Sequence, residues 1–320
     1  MSRPMRRVAR FVGHCADWFE ELGSALTMVR ERAGEAWLRR GALALLVGLL
    51  AAHGAATAQP PSPRPAGVIA LAFDAGTRTL YKASAESLYR SADEGRTWAA
   101  VSLPSAAPRG PLAAVAVSAG KRAALYVAGP GIGVLRSGDG GRTWTTRSEG
   151  LPSDEIVALA AHADQPGTVY ADVAGRGIFR SRDGGKRWKL MDRGPRKRIV
   201  QFIHSNMPGS MQTGWLFAAT RAGVSRAMDC FCGWHNAGKL GRPVRALAYD
   251  PSKPQDIYAA TQDALFLSAN GGEQWSRINA PAAVISALVV TPSGDLYAAA
   301  GDGALYRSAD QGKTWKRTHA

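Results

Sequence analysis

From about residue 68 onward, apolar and polar positions alternate in short runs, and no 3.6-residue apolar period competes with them. An alternating apolar stretch occurs six times, at 68–73, 112–117, 156–161, 199–203, 244–249 and 284–290. Each is followed by a pair that ends in an aromatic residue: Leu80-Tyr81, Leu125-Tyr126, Val169-Tyr170, Leu216-Phe217, Ile257-Tyr258 and Leu296-Tyr297. A third short run then appears at Leu88-Tyr89, Val134-Leu135, Ile178-Phe179, Val224-Ser225, Leu265-Phe266 and Leu305-Tyr306. A fourth strand is expected to begin at a Trp shortly after it. Period-2 runs bounded by Gly-rich turns predict strands, so each unit reads as four strands and the chain as all-β.

The segment between the third and fourth strands repeats in sequence as well as in pattern. It runs from Ser91 through Asp93 and Gly95 to Trp98, and from Ser137 through Asp139 and Gly141 to Trp144. It returns as Ser181, Asp183, Gly185, Trp188, and in degenerate form as Ala227, Asp229, Phe231, Trp234. The last two copies are Ser268, Asn270, Gly272, Trp275 and Ser308, Asp310, Gly312, Trp315. The first positions lie 46, 44, 46, 41 and 40 residues apart. A period near 40 with four strands in each unit predicts a six-bladed β-propeller of four-stranded antiparallel blades over residues 68–320. An Asp or Asn carboxyl or amide oxygen can accept backbone N–H bonds a few residues on, Gly supplies positive φ, and Trp buries a large ring. Asp93, Asp139, Asp183, Asp229, Asn270, Asp310 and the six Trp residues are therefore expected to be structural. Since the first unit opens with a first strand and the last closes with a fourth, the ring is expected to close by face packing of blade six on blade one.

This segment resembles the Asp-box, or BNR repeat, of the sialidase-like superfamily. The units are similar to those of bacterial sialidases, sortilin-type ectodomains and photosystem II stability/assembly factor-like proteins. The resemblance implies a propeller with its boxes on the rim, away from the ligand face. It implies no single activity, because one propeller hosts many. A glycosidase of this superfamily would use an Arg cluster, a Tyr nucleophile and an Asp acid/base, with an Arg-Ile-Pro motif near the first strand; nothing before Trp98 matches that motif. Arg90, Arg136, Arg180, Arg226 and Arg307 recur on third strands and read as a repeat feature, not a substrate clamp. The sequence also lacks a phosphate-binding Gly-Lys-Ser/Thr loop and a His-Glu-x-x-His helix motif, so no catalytic residue, metal or cofactor is assigned.

Charge adds a candidate surface. The formal net charge is +15, which favours anionic partners. The repeat phase places Arg147, Arg193, Arg196, Lys197, Arg198, Lys239, Arg242 and Arg245 in or beside the connections between blades. A monomeric binding or assembly scaffold for a protein partner follows, with anionic glycan binding or glycosidase activity as the alternative and no nucleic acid expected.

Cys230 and Cys232 lie in the turn of the degenerate fourth box. Three readings stay open: a disulfide that restores a turn restraint lost with the box Gly, inert thiols, or a metal site with His235. Before the repeats, Arg39-Arg40, the uncharged run 41–52 and Ala56-Thr57-Ala58 describe an export signal over 1–58. Cleavage after Ala58 and a periplasmic or secreted location are expected, with an inner-membrane anchor as the alternative and Met28 as a possible start. No Cys follows the apolar run before that site, which excludes a lipoprotein. Residues 59–67 read as a Pro-rich linker.

Overall fold

The computed structural model describes residues 67–104 and 110–318. The expected export signal and most of the linker lie outside the described residues. Six sheets each contain four consecutive antiparallel strands, at 70–101, 114–146, 156–192, 199–236, 246–278 and 285–318. These are the six blades of a β-propeller. Among the described residues, no helix is long and apolar enough to cross a membrane.

The innermost strands are β1 (Ala70–Asp74), β5 (Ala114–Val117), β9 (Ile156–Ala161), β13 (Ile199–Ser205), β17 (Ala246–Asp250) and β21 (Ile285–Val290). Each neighbours the next around the ring, and β21 returns to β1. Every interface between successive blades has its own apolar cluster, anchored by the aromatic residue of the second strand; Tyr126, Tyr170, Phe217 and Tyr258 are fully buried. A strand buried on both faces reads as a run of apolar residues rather than as strict alternation, and β6 (Leu125–Gly129) and β22 (Leu296–Ala300) are buried at every position.

The fourth strands start one residue later than the sequence suggested, at Ala99, Thr145, Lys189, His235, Ser276 and Lys316. Trp144, Trp188, Trp275 and Trp315 donate Nε1–H to the carbonyls of Ser102, Arg147, Ala237 and Asn279 of the preceding blade, at 2.8–3.0 Å. The box Trp is thus a clamp between blades, and the strand begins after it. The third-strand arginines work at the same interfaces. Arg180 donates to the Asp229 carbonyl at 3.4 Å, and Arg226 to the Gly271 carbonyl at 2.6 Å.

Among the described residues no strand is shared between the chain ends, and side chains close the ring. Val68, Leu71 and Leu80 of blade one pack on Tyr297, Ala299 and Leu305 of blade six. Arg307 pairs with Glu94 at 2.9 Å and with Asp295 at 3.0 Å. Glu94 holds φ 63°, where boxes two, three and five have Gly140, Gly184 and Gly271. A non-Gly residue in that region costs on the order of 1 kcal/mol, and the bridge to Arg307 acts in the opposite direction. Arg307→Ala is therefore expected to lower stability by about 1 kcal/mol, the scale of a partly exposed ion pair. Glu94→Gly, which loses the bridge but also the strain, is expected to change stability less. Urea denaturation of both variants checks this; an equal or larger loss in Glu94→Gly would contradict it.

Candidate functional site

Connections between blades and turns between second and third strands share one end of the ring, where the inner strands begin. The boxes and the turns between first and second strands share the other. At the first end the charges are sorted by side. Arg176, Arg193, Arg196, Lys197, Arg198, Arg221, Lys239, Arg242 and Arg245 of blades three to five are all exposed. Of the exposed acids at this end among the described residues, Glu86, Glu149, Asp154, Glu155 and Asp302 lie on connections and turns outside residues 193–245, and Asp263 lies on blade five beside Arg242.

Of the candidate basic residues, Arg242 is paired, 3.2 Å from Asp263. Arg245 bonds the Gln262 side chain. Among the described residues, Arg193, Arg196, Lys197, Arg198 and Lys239 have no carboxylate within salt-bridge distance. Gly194, at φ 82° with its N–H on the Asp192 carboxylate at 2.6 Å, turns the 193–198 connection, whose four cations are all exposed. Arg198 faces Asp172. Burial pushes the Asp172 carboxyl up to about 7, and Arg198 acts in the opposite direction. Arg147 does not join this surface: its Cβ and Cγ press on Gly185 and its carbonyl holds the Trp188 indole.

The cationic sector borders the mouth of the central channel. That mouth is a cavity of about 340 Å³ lined by Val68, Leu112, Val157, Val200 and Arg245 among others. Val200 is 46% exposed. Below it, Leu71, Val115, Leu159, Gln201, Leu247 and Leu288 ring the channel, and the Gln201 amide bonds both backbone groups of Leu247, at 2.7 and 3.3 Å. An apolar well beside unneutralised cations can hold an extended anionic chain: the charges attract and steer it, and the well takes an apolar side chain.

At the opposite end, five boxes hold their own turns. In the first, the Ser91 hydroxyl accepts from Gly95 N–H at 2.8 Å and donates to Asp93 at 2.7 Å, while Asp93 accepts from Thr97 N–H at 2.9 Å. Asp139, Asp183, Asn270 and Asp310 repeat the arrangement. The fourth box departs from the expected role. Asp229 is 1% exposed and does not bond the amide four residues on; its carboxylate accepts from the Thr213 N–H at 3.2 Å and from the Thr213 hydroxyl. The fourth box has Ala227 in place of the box Ser, so the usual turn cannot form. A Cys230–Cys232 disulfide spans this turn with Cα atoms 5.5 Å apart, and Phe231 between them sits at φ 58°. With both sulfurs joined to each other, neither is a thiolate free to ligate a metal with His235.

Two histidines, His162 and His204, meet Asp229. His162 Nε2 and His204 Nε2 stand 3.9 and 3.7 Å from its carboxylate, and the two rings stack at 3.8 Å. Their signal lay in the repeat. The residue that ends or follows each first strand caps the next turn: Asp74, Ser118, His162, Ser205, Asp250 and Thr291 each accept a backbone N–H from a residue further along. His162 Nδ1 accepts from Asp164 and Gln165 N–H at 3.0 and 3.1 Å, and His204 Nδ1 accepts from Ala163 N–H at 3.2 Å. Both neutral rings therefore carry their proton on Nε2. The three side chains bring ligand atoms within 4.8 Å of one another, but a metal on Nε2 would need the proton on Nδ1, where backbone donors point. The trio does not fit a metal ion.

A family model described as BNR/Asp-box repeat matches residues 306–317, the sixth box. No curated protein matched the sequence. Among solved structures, the chain is similar to a GH74 enzyme of Niastella koreensis at 18% identity and TM-score 0.56, covering 78% of this chain and 46% of that one. It thus spans less than half of that enzyme. It is also similar to YCF48 from Cyanidioschyzon merolae at 19% identity and TM-score 0.52, covering 80% and 86%. YCF48 bound to D1 peptide matches at 18% identity and TM-score 0.52, covering 80% and 83%. These likenesses show a shared fold.

Proposed function

We propose that this Asp-box β-propeller is an exported, non-enzymatic scaffold whose cationic face holds an acidic segment of a protein partner in the cell envelope. One observation carries the reading: the cations of blades three to five crowd one side of one face, largely without carboxylate partners, beside an apolar channel mouth. Clustered like charges give an isolated fold nothing, whereas an anionic partner gains association rate and salt-sensitive affinity from them. Support comes from YCF48, a propeller of similar architecture whose structure contains a bound peptide. Export rests on the sequence of the leader.

A second reading, an anionic-glycan binder or glycosidase, is favoured by the similarity to GH74 enzymes and by the same cations. Equilibrium titration with an acidic peptide, a basic peptide of equal length and a sialoside separates the two. The scaffold reading expects saturable binding of the acidic peptide alone and no hydrolysis of the sialoside. Saturable sialoside turnover, or preference for the glycan, would replace it with the second reading.

A further inference from the structure

The cationic face leaves the buried cluster at the opposite end without a task. That cluster joins two segments of different blades: the turn after β9, residues 162–168, and the loop after β13, residues 206–214. We propose that His162, His204, Thr213 and Asp229 form an acid-operated latch, which ties the 206–214 loop of blade four to blade three at neutral pH and releases both segments in weak acid.

The direction of every hydrogen bond in the latch is fixed. Backbone N–H groups occupy Nδ1 of both rings. The Nε2–H of His162 then donates to the Thr213 hydroxyl at 2.7 Å, which donates in turn to Asp229. Asn206 donates to Asp164 at 3.0 Å, a second tie between the same two segments. Protonating either ring would set a new Nδ1–H against the backbone N–H groups it now accepts from. The ring would have to leave its turn, and the turn would lose its cap.

The surroundings set the sign. His162 faces His204 from β13, Asp229 from the fourth box, and the ring of Tyr170, in β10 (Val169–Val173), at 6.5 Å. Arg180, from β11 (Gly177–Ser181), reaches the Asp229 carbonyl, and Arg182 lies near Tyr170. Burial, then His204, lowers the His162 pKa to about 4, with Asp229 opposing and Arg180 assisting. Its folded value lies below the ordinary 6.5, so the open state takes up protons first. Closure is therefore favoured above about pH 6.5 and weakens as the pH falls toward 4.

Amide hydrogen exchange, read as protection factors at pH 7 and pH 5, tests this. Ala163, Asp164, Gln165 and Thr213 are expected to lose protection by roughly twentyfold at pH 5, while amides of the neighbouring strand Trp215–Thr220 stay unchanged. The control is His162→Ser with His204→Val. Ser caps the equivalent turns of blades two and four, and Val117 and Val290 precede the caps of blades two and six. Its protection should not depend on pH. Unchanged wild-type protection, or an equal loss in the control, would overturn the latch. Should the control fail to fold, the imidazole nitrogen shifts of the wild type decide. A neutral Nε2–H form of His162 persisting at pH 5.5 supports the latch, and titration near 6.5 or an Nδ1–H form overturns it.

Discussion

Asp229→Ala is expected to destabilise the propeller by about 3 kcal/mol, the scale for removing one partner from a buried, charged hydrogen-bond network. The Asp229 carboxylate is 1% exposed and is the only acceptor of the Thr213 hydroxyl among the described residues, with the Thr213 N–H and His204 Nε2 also turned to it. Among the described residues His204 Nε2 already lacks a partner at hydrogen-bond distance, and the substitution removes the carboxylate it faces. Burial raises the Asp229 carboxyl, but His204 and Thr213 outweigh it and hold it at about 2. Its folded value is depressed below the ordinary 3.8, so its contribution is present above that pH and lost as the pH falls toward 2. Asp183→Ala, at a box whose carboxylate is open to water at the rim, is expected to cost clearly less. Urea denaturation followed by Trp fluorescence compares the two. Equal losses would show that Asp229 acts as an ordinary box residue.

Trp188→Ala should produce a loss of about 3 kcal/mol, toward the lower end for deleting a large aromatic because the ring is half-buried. Trp188 packs on the cluster between blades two and three and donates to the Arg147 carbonyl at 2.8 Å. Its removal opens a space between two blades and orphans that carbonyl. Trp98 makes a useful contrast: its Nε1 has no acceptor among the described residues, and its ring instead meets the Lys82 ammonium at 4.2 Å. Trp98→Ala therefore forfeits packing without a hydrogen bond and is expected to cost less. Thermal and urea unfolding of the two variants give the comparison, and a larger loss at Trp98 would contradict the clamp role.

The blades were legible because six copies of one turn keep the Trp in register, and four of them carry the same Ser, Asp and Gly as well. The strand pattern between copies left little choice of architecture. Each fourth strand starts one residue after the expected Trp, and the sequence does not reveal that four of the six indoles bond a backbone carbonyl of the preceding blade. The basic connection 193–198 was legible from repeat phase alone. Which of its companions keep a free charge was not: Asp263 reaches Arg242 and Gly185 engages Arg147 only through the fold. The partners of Asp229 were not legible for a related reason. Its partners His162 and His204 belong to another part of the repeat, and only alignment of the residues capping each first strand would have drawn attention to His162.

The most direct test of the scaffold reading is binding of an acidic peptide to the wild type and to a variant carrying Arg196→Ala, Lys197→Ala and Arg198→Ala, at low and at moderate salt. These three side chains are exposed, so the thermal melt is expected to stay unchanged. The account predicts that wild-type affinity falls as salt rises, and that the variant binds at least about tenfold more weakly at low salt with a shallower salt dependence. Equal affinity and equal salt dependence in the two proteins, with the same melt, would show that these charges only solvate the surface.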